Sequence, residues 1–223
     1  MVERQEVRQE YVRFAGTGIN LEGVLHIPAG AGPFPAVAVC HPHPLYGGNM
    51  DNNVVLAVSH ALANASFVVL RFNFRGVGDS GGRHDEGIGE QRDVVAALAY
   101  LEAHSSVDST KLGLAGYSFG TKVAVPAAVG HSRVAALALV SPFLGVQEWE
   151  QLARYFVPKL FVSGDQDGFI PARELLRTAE RLPQPSLCEI VPGADHMWWG
   201  YEGEIADRVA DFFAGLFRTT HQS

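Results

Sequence analysis

The chain has 223 residues, of which 47% are hydrophobic and 18% charged, and its formal net charge at pH 7 is −7. This composition predicts one domain over residues 1–223 with a sizeable core, and it excludes a disordered chain. The acidic balance excludes a general nucleic-acid binder and a polybasic membrane anchor, since both need a basic face.

The opening stretch, Met1 to Glu10, is charged and lacks the apolar run of a secretion signal. No run approaches the ~20 apolar residues that span a bilayer. A cytoplasmic location is expected, with Cys40 and Cys188 as buried free thiols in apolar strands.

Residues 6–14 and 20–27 read as two strands joined at Gly16-Thr17-Gly18, an antiparallel hairpin. A Gly/Pro loop then leads to Ala36-Val37-Ala38-Val39-Cys40, whose unbroken apolar run suits a strand buried on both faces. His41-Pro42-His43-Pro44-Leu45-Tyr46-Gly47-Gly48 cannot be regular structure. A helix follows over 53–65, with Val54, Val55, Val58 and Leu62 at helical spacing, then a strand over 67–72 and a glycine-rich turn over 73–82. A second helix is expected from about Gly89 to His104. Leu112 to Ala115 reads as a strand, Gly116-Tyr117-Ser118-Phe119-Gly120 as a turn, and the Ala/Val-rich stretch to Val129 as a helix. Next come a strand over 134–140, a helix over 146–156, a strand over 159–163, a helix over 171–182, a strand over 187–191 and an amphipathic helix over 202–216.

This alternation predicts an α/β fold: a mostly parallel twisted sheet of about eight strands with helices on both faces. In such sheets chemistry gathers beyond the carboxyl ends of the strands. The unusual polar stretches all fall there: 41–48, 73–82, 116–120, 164–168 and 193–199. Within the third, Gly116-x-Ser118-x-Gly120 between a strand and a helix is the context of a nucleophile elbow. Its sharp turn leaves no room for side chains at 116 and 120, and it lifts the Ser118 hydroxyl out of the sheet.

A serine hydroxyl needs a base. Of the nine histidines, His26, His60, His104 and His131 fall on or beside regular elements, His84 in a polar loop and His221 in the C-terminal tail. His41, His43 and His196 lie at strand ends, and His196 follows the last strand on Gly193-Ala194-Asp195. The acid that orients the imidazole has two candidates, Asp165 and Asp167. His41 and His43 could also suggest a metal pair. No third ligand stands at a recognisable spacing, and neither a metal nor a cofactor is expected. Arg75 and Asp79 are expected to be structural.

The order Ser…Asp…His and these five stretches identify the chain as resembling an α/β-hydrolase along almost its whole length. Within that superfamily it is similar to a group of small, cap-less hydrolases and esterases. The resemblance implies that Ser118, His196 and Asp167, the Asp of Gly-x-x-Asp, form a catalytic triad, with Asp165 shaping the turn. It implies an oxyanion hole from the backbone N–H of Phe119 and one N–H from the 41–48 loop. Pro42 and Pro44 have none to give, which leaves His43, Leu45 or Tyr46. Many relatives carry His-Gly-x there and use the third residue, which favours His43, with Leu45 as the alternative.

Larger relatives insert a cap between the strand ending at Ser141 and the one starting at Lys159. Here that segment is 17 residues, Pro142 to Pro158, with room for one short helix. An open site is expected, with Phe143, Leu144, Trp149 and Tyr155 on its rim and Tyr46, Tyr117, Trp198 and Trp199 as further pocket candidates. The resemblance implies a serine hydrolase, carboxylesterase-like, cleaving esters of small or short-chain substrates through an acyl-enzyme. The same residues would serve a thioesterase or small amidase. A non-catalytic binding protein on the same fold is the rival from another class. The expected partner is a small-molecule ester rather than nucleic acid or membrane, and nothing in the sequence sets an oligomeric state.

Overall fold

The computed structural model describes residues 6–217. The first five residues and the tail bearing His221 lie outside the described residues. Eight strands form one sheet: β1 (Val7–Ala15), β2 (Asn20–Pro28), β3 (Phe34–Cys40), β4 (Val68–Phe72), β5 (Val107–Tyr117), β6 (Val134–Val140), β7 (Lys159–Gly164) and β8 (Ser186–Val191). Their spatial order is β1-β2-β4-β3-β5-β6-β7-β8. The β1–β2 and β2–β4 pairs are antiparallel, and the other pairs are parallel. The six α-helices are α1 (Asn53–Asn64), α2 (Ile88–Ala103), α3 (Phe119–Gly130), α4 (Val146–Leu152), α5 (Ala172–Ala179) and α6 (Glu202–Phe217).

The period-2 alternation of the strands divides the core in two. Ala36, Ala38 and Cys40 of β3 face one layer with Val94, Leu98 and Leu101 of α2, Val123 of α3 and Leu175 of α5. Val37 and Val39 face the other, with Val58 and Leu62 of α1 and Val209 and Phe213 of α6. An unbroken apolar strand is therefore what a sheet covered on both faces requires.

Several expected boundaries move: β3 begins at Phe34 rather than Ala36, and helix α5 ends at Ala179 rather than 182. β5 begins at Val107 rather than Leu112, because Val107 pairs with Phe34 before an irregularity in the ladder. Asp108-Ser-Thr-Lys gives no strand pattern in sequence. Helix α4 stops at Leu152 rather than 156, where the Tyr155 N–H bonds the Leu152 carbonyl and turns the chain towards Pro158. No helix among the described residues is long and apolar enough to cross a membrane.

The connection from β6 to β7 carries α4 and no cap. Most of its expected rim instead packs inward. Trp149 stacks on Phe161 at 5.6 Å, the Tyr155 hydroxyl donates to the Ala128 carbonyl at 3.2 Å, and Leu144 lies partly buried on the core. Phe143 stays exposed.

Candidate active site

Parallel strands β3, β5, β7 and β8 end on the same side of the sheet, so the loops after them meet there. The turn after β5 is the tightest. Ser118 has φ +53° and ψ −117°, a conformation that costs a non-glycine residue on the order of 1–3 kcal/mol. Its N–H is held by the Val140 carbonyl at 2.9 Å. Both flanking glycines are fixed by close approach. A Cβ on Gly116 would lie 2.6 Å from the Gly120 carbonyl oxygen, and one on Gly120 would lie 2.4 Å from the Cys40 carbonyl oxygen. The second contact seats the start of α3 directly against the end of β3.

The hydroxyl raised by this turn meets His196: Ser118 Oγ lies 3.0 Å from His196 Nε2. On the far side of the ring, His196 Nδ1 lies 2.8 Å from Asp167 Oδ2. Two loops must converge for this, and Gly164 lets them. A Cβ there would sit 1.9 Å from the Ala194 carbonyl oxygen. Asp165 Oδ1 accepts the Gly193 N–H at 2.8 Å, which ties the acid-bearing loop to the histidine-bearing one and places Asp165 in the turn. Asp195 Oδ1 accepts the N–H groups of Met197 and Trp198, and the Tyr117 hydroxyl donates to the His196 carbonyl at 2.6 Å.

The Asp167 side chain is buried. Burial opposes its ionisation. The hydrogen bond from His196, the Phe169 N–H, the charge of His196 and the Ser141 hydroxyl outweigh burial and hold the carboxyl below its ordinary range. Its other oxygen accepts the N–H groups of Phe169 at 3.0 Å and Ile170 at 3.1 Å. Asp167 is thus an anionic acceptor aimed at Nδ1, which leaves Nε2 to face the serine hydroxyl.

The 41–48 loop is tied largely to itself through its backbone N–H groups. Leu45 N–H is taken by the His43 ring nitrogen at 3.2 Å, Tyr46 N–H by the His43 carbonyl at 3.1 Å, and Gly48 N–H by the same carbonyl at 3.0 Å. Among the described residues, the His43 N–H has no protein partner, nor does that of Phe119 at the start of α3. The Leu45 N–H is thus engaged within the loop, whereas that of His43 is not.

His41 is not a ligand in waiting. It is fully buried; Nδ1 lies 2.6 Å from the Pro42 carbonyl and Nε2 accepts the Phe74 N–H at 3.1 Å. Burial pushes its pKa down to about 4, which keeps it neutral and able to accept. Among the described residues no group of three or more His, Cys, Asp and Glu side chains could hold a metal ion.

The pocket candidates separate. Tyr46 and Trp199 are exposed, at 87% and 67%, and Phe143 is half exposed with its N–H on Thr121 Oγ1 at 3.0 Å. Trp198 is wholly buried, with its indole N–H on Ser141 Oγ at 3.0 Å, and Tyr117 is buried beneath His196. Neither offers a surface to an incoming molecule. Sequence reasoning missed Phe169, whose exposed ring lies edge-on to His196 at 4.8 Å, and the supporting hydroxyls of Ser141 and Ser163. Serine at the carboxyl end of an apolar strand was their only signal. Arg75 and Asp79 are structural: Arg75 pairs with buried Asp93 at 2.7 Å, and Asp79 with Arg13 at 2.6 Å. A cleft of about 800 Å³ bounded by Glu6, Arg8, Phe34 and Ser106 lies at the opposite end of the sheet from Ser118.

Residues 41–203 match the family model described as an alpha/beta hydrolase domain. The chain belongs to the α/β-hydrolase family. It is 31% identical over 195 residues to an uncharacterised protein of Rickettsia prowazekii, an alignment covering 84% of this chain and 82% of the relative. Among solved structures it resembles an alpha-beta serine hydrolase homologue from Coxiella burnetii, with a TM-score of 0.81, 34% identity, and 90% and 95% of the two chains covered. It also resembles a serine hydrolase without a lid from Xanthomonas campestris, with a TM-score of 0.76, 26% identity and 97% of each chain covered. The family and these neighbours support hydrolase activity.

Proposed function

We propose that this protein is a serine hydrolase that cleaves carboxylic esters of small or short-chain substrates, acting as one domain in the cytoplasm. One observation carries the reading: the unbroken line from Asp167 Oδ2 through His196 to Ser118 Oγ, with spacings of 2.8 and 3.0 Å. His196 Nε2 takes the Ser118 proton as Oγ attacks the ester carbonyl. The charge that develops on the carbonyl oxygen is met by the N–H groups of Phe119 and His43. His196 returns the proton to the leaving alcohol as the C–O bond breaks, which leaves an acyl-Ser118. Water, activated by the same imidazole, then releases the acid. Asp167 stays ionised throughout and steadies the imidazolium. The strained backbone of Ser118 serves this chemistry by holding Oγ toward His196.

The absence of a cap supports the choice of small or flexible acyl groups, since no structure encloses a long chain. Turnover of p-nitrophenyl acetate and butyrate, measured beside acyl-thioesters of the same chain length, tests the reading. Ester turnover abolished by Ser118→Ala is expected. Turnover confined to thioesters, or unchanged in Ser118→Ala, would overturn it.

A further inference from the structure

His84 lies in the loop between β4 and α2, and no chemistry assigned above uses it. Its neighbours Arg83, Asp85 and Glu86 are exposed, but the His84 side chain turns inward and is 9% exposed. Its ring lies 5.1 Å from that of His43 and 5.7 Å from that of Phe119, and the latter two lie 4.7 Å apart. One side chain therefore packs against both residues whose N–H groups remain free at the site.

The loop that delivers His84 is firmly held. Glu90, fully buried in the first turn of α2, accepts the N–H groups of Asp85 and Gly87, each at 2.8 Å. The same carboxylate lies 2.9 Å from His84 Nδ1, without the alignment of a hydrogen bond. At the loop's entry, Arg75 grips Asp93 through both its backbone N–H and its guanidinium. Glu90 thus presses His84 on the His43–Phe119 pair from a fixed base. By contrast, Tyr46, the other ring against His43 at 4.8 Å, is exposed and fills no such gap.

We propose that His84 is a positioning residue for the oxyanion hole: its ring, backed by Glu90, holds His43 and Phe119 so that their two N–H groups converge. This rests on the serine-hydrolase reading above. The physical basis is close packing. A void beside two rings forfeits their contacts and lets the loop shift, and small displacements of catalytic groups are costly. Such a residue acts only on the transition state, where the oxyanion forms, so its loss lowers kcat and leaves KM alone.

Two variants separate the ring from its polar contact with Glu90. His84→Gln keeps a polar end for Glu90 and removes the ring. His84→Phe keeps a ring and removes the polar end. With p-nitrophenyl acetate, His84→Gln is expected to lose about tenfold in kcat at constant KM. Its affinity for a trifluoromethyl ketone, which forms the tetrahedral adduct, should weaken by a similar factor. His84→Phe should recover most of kcat despite a lower melting temperature. Wild-type kcat and ketone affinity in folded His84→Gln would overturn the proposal, as would a loss confined to KM. Wild-type protein that neither turns over the ester nor binds the ketone would fell the hydrolase reading first, and this one with it.

Discussion

The two sides of the site are built by different means. On the proposed acid–base side, after β7 and β8, the reading assigns the work to side chains: Asp167 and His196, with Asp165 as the tie between loops. On the proposed oxyanion side, after β3, the reading assigns the work to backbone N–H groups, and the side chains of His41, His43 and His84 pack or bond within the loop that carries them. A side-chain function is written in residue type and can be read from a sequence. A backbone function depends on which N–H is left unbonded, which only the folded loop decides.

The largest expected effect breaks the first side alone. Asp167→Asn should lower kcat about 10⁴-fold, because the amide favours the wrong imidazole tautomer, while the fold and KM stay near wild type. Steady-state kinetics beside a melting curve check this.

Gly120→Ala attacks the second side. Its Cβ would meet the Cys40 carbonyl oxygen at 2.4 Å, so α3 and the end of β3 must part. A stability loss of about 3 kcal/mol is expected from overpacking, and kcat should fall on the order of 10²-fold as the Phe119 and His43 donors diverge. Denaturant unfolding and kinetics read the two effects separately.

Acid sharpens the comparison. His41 is lowered to about 4 and His26 to about 3, both chiefly by burial, with the nearby Arg71 charge acting next on His26. Each is a base whose folded-state value lies below its ordinary 6.5, so the unfolded chain binds protons first as pH falls. The stabilisation is complete above pH 6.5 and is lost on the way to pH 4, about 3 kcal/mol for His41. Protonated His41 cannot accept the Phe74 N–H, so the oxyanion loop should loosen first. Melting temperature between pH 7 and 4 should fall less steeply in His41→Gln than in wild type.

The smallest effect is Asp165→Asn. An amide oxygen can still accept the Gly193 N–H, so kcat should change less than about tenfold. A loss as large as that of Asp167→Asn would show that the acid had been assigned to the wrong aspartate.

The elements themselves were largely legible, because a two-faced sheet demands unbroken apolar strands and β3 and β6 supply them. The start of β5 was not, since Asp108 to Lys111 fall in the irregularity of the ladder between Val107 and Leu112, where no paired neighbour imposes a pattern. Ser118, Asp167 and His196 could be read because each stands on a motif at a strand end. The layer behind them could not. Trp198 on Ser141 and Tyr117 on the His196 carbonyl join residues 57 and 79 positions apart. Such contacts leave no periodicity, and an aromatic residue beside a candidate catalytic histidine reads equally well as pocket wall or buried prop. Trp198 and Tyr117 are props, and Phe169 is the ring that faces out.

The central claim is that Ser118 is an activated nucleophile beside two free N–H donors. A fluorophosphonate probe tests it most directly, because the reagent needs both a nucleophilic oxygen and an oxyanion site. The account predicts one covalent adduct per chain, mapped to Ser118 and lost in Ser118→Ala and, largely, in His196→Ala. Folded wild-type protein that remains unlabelled, or is labelled at another residue, would contradict it.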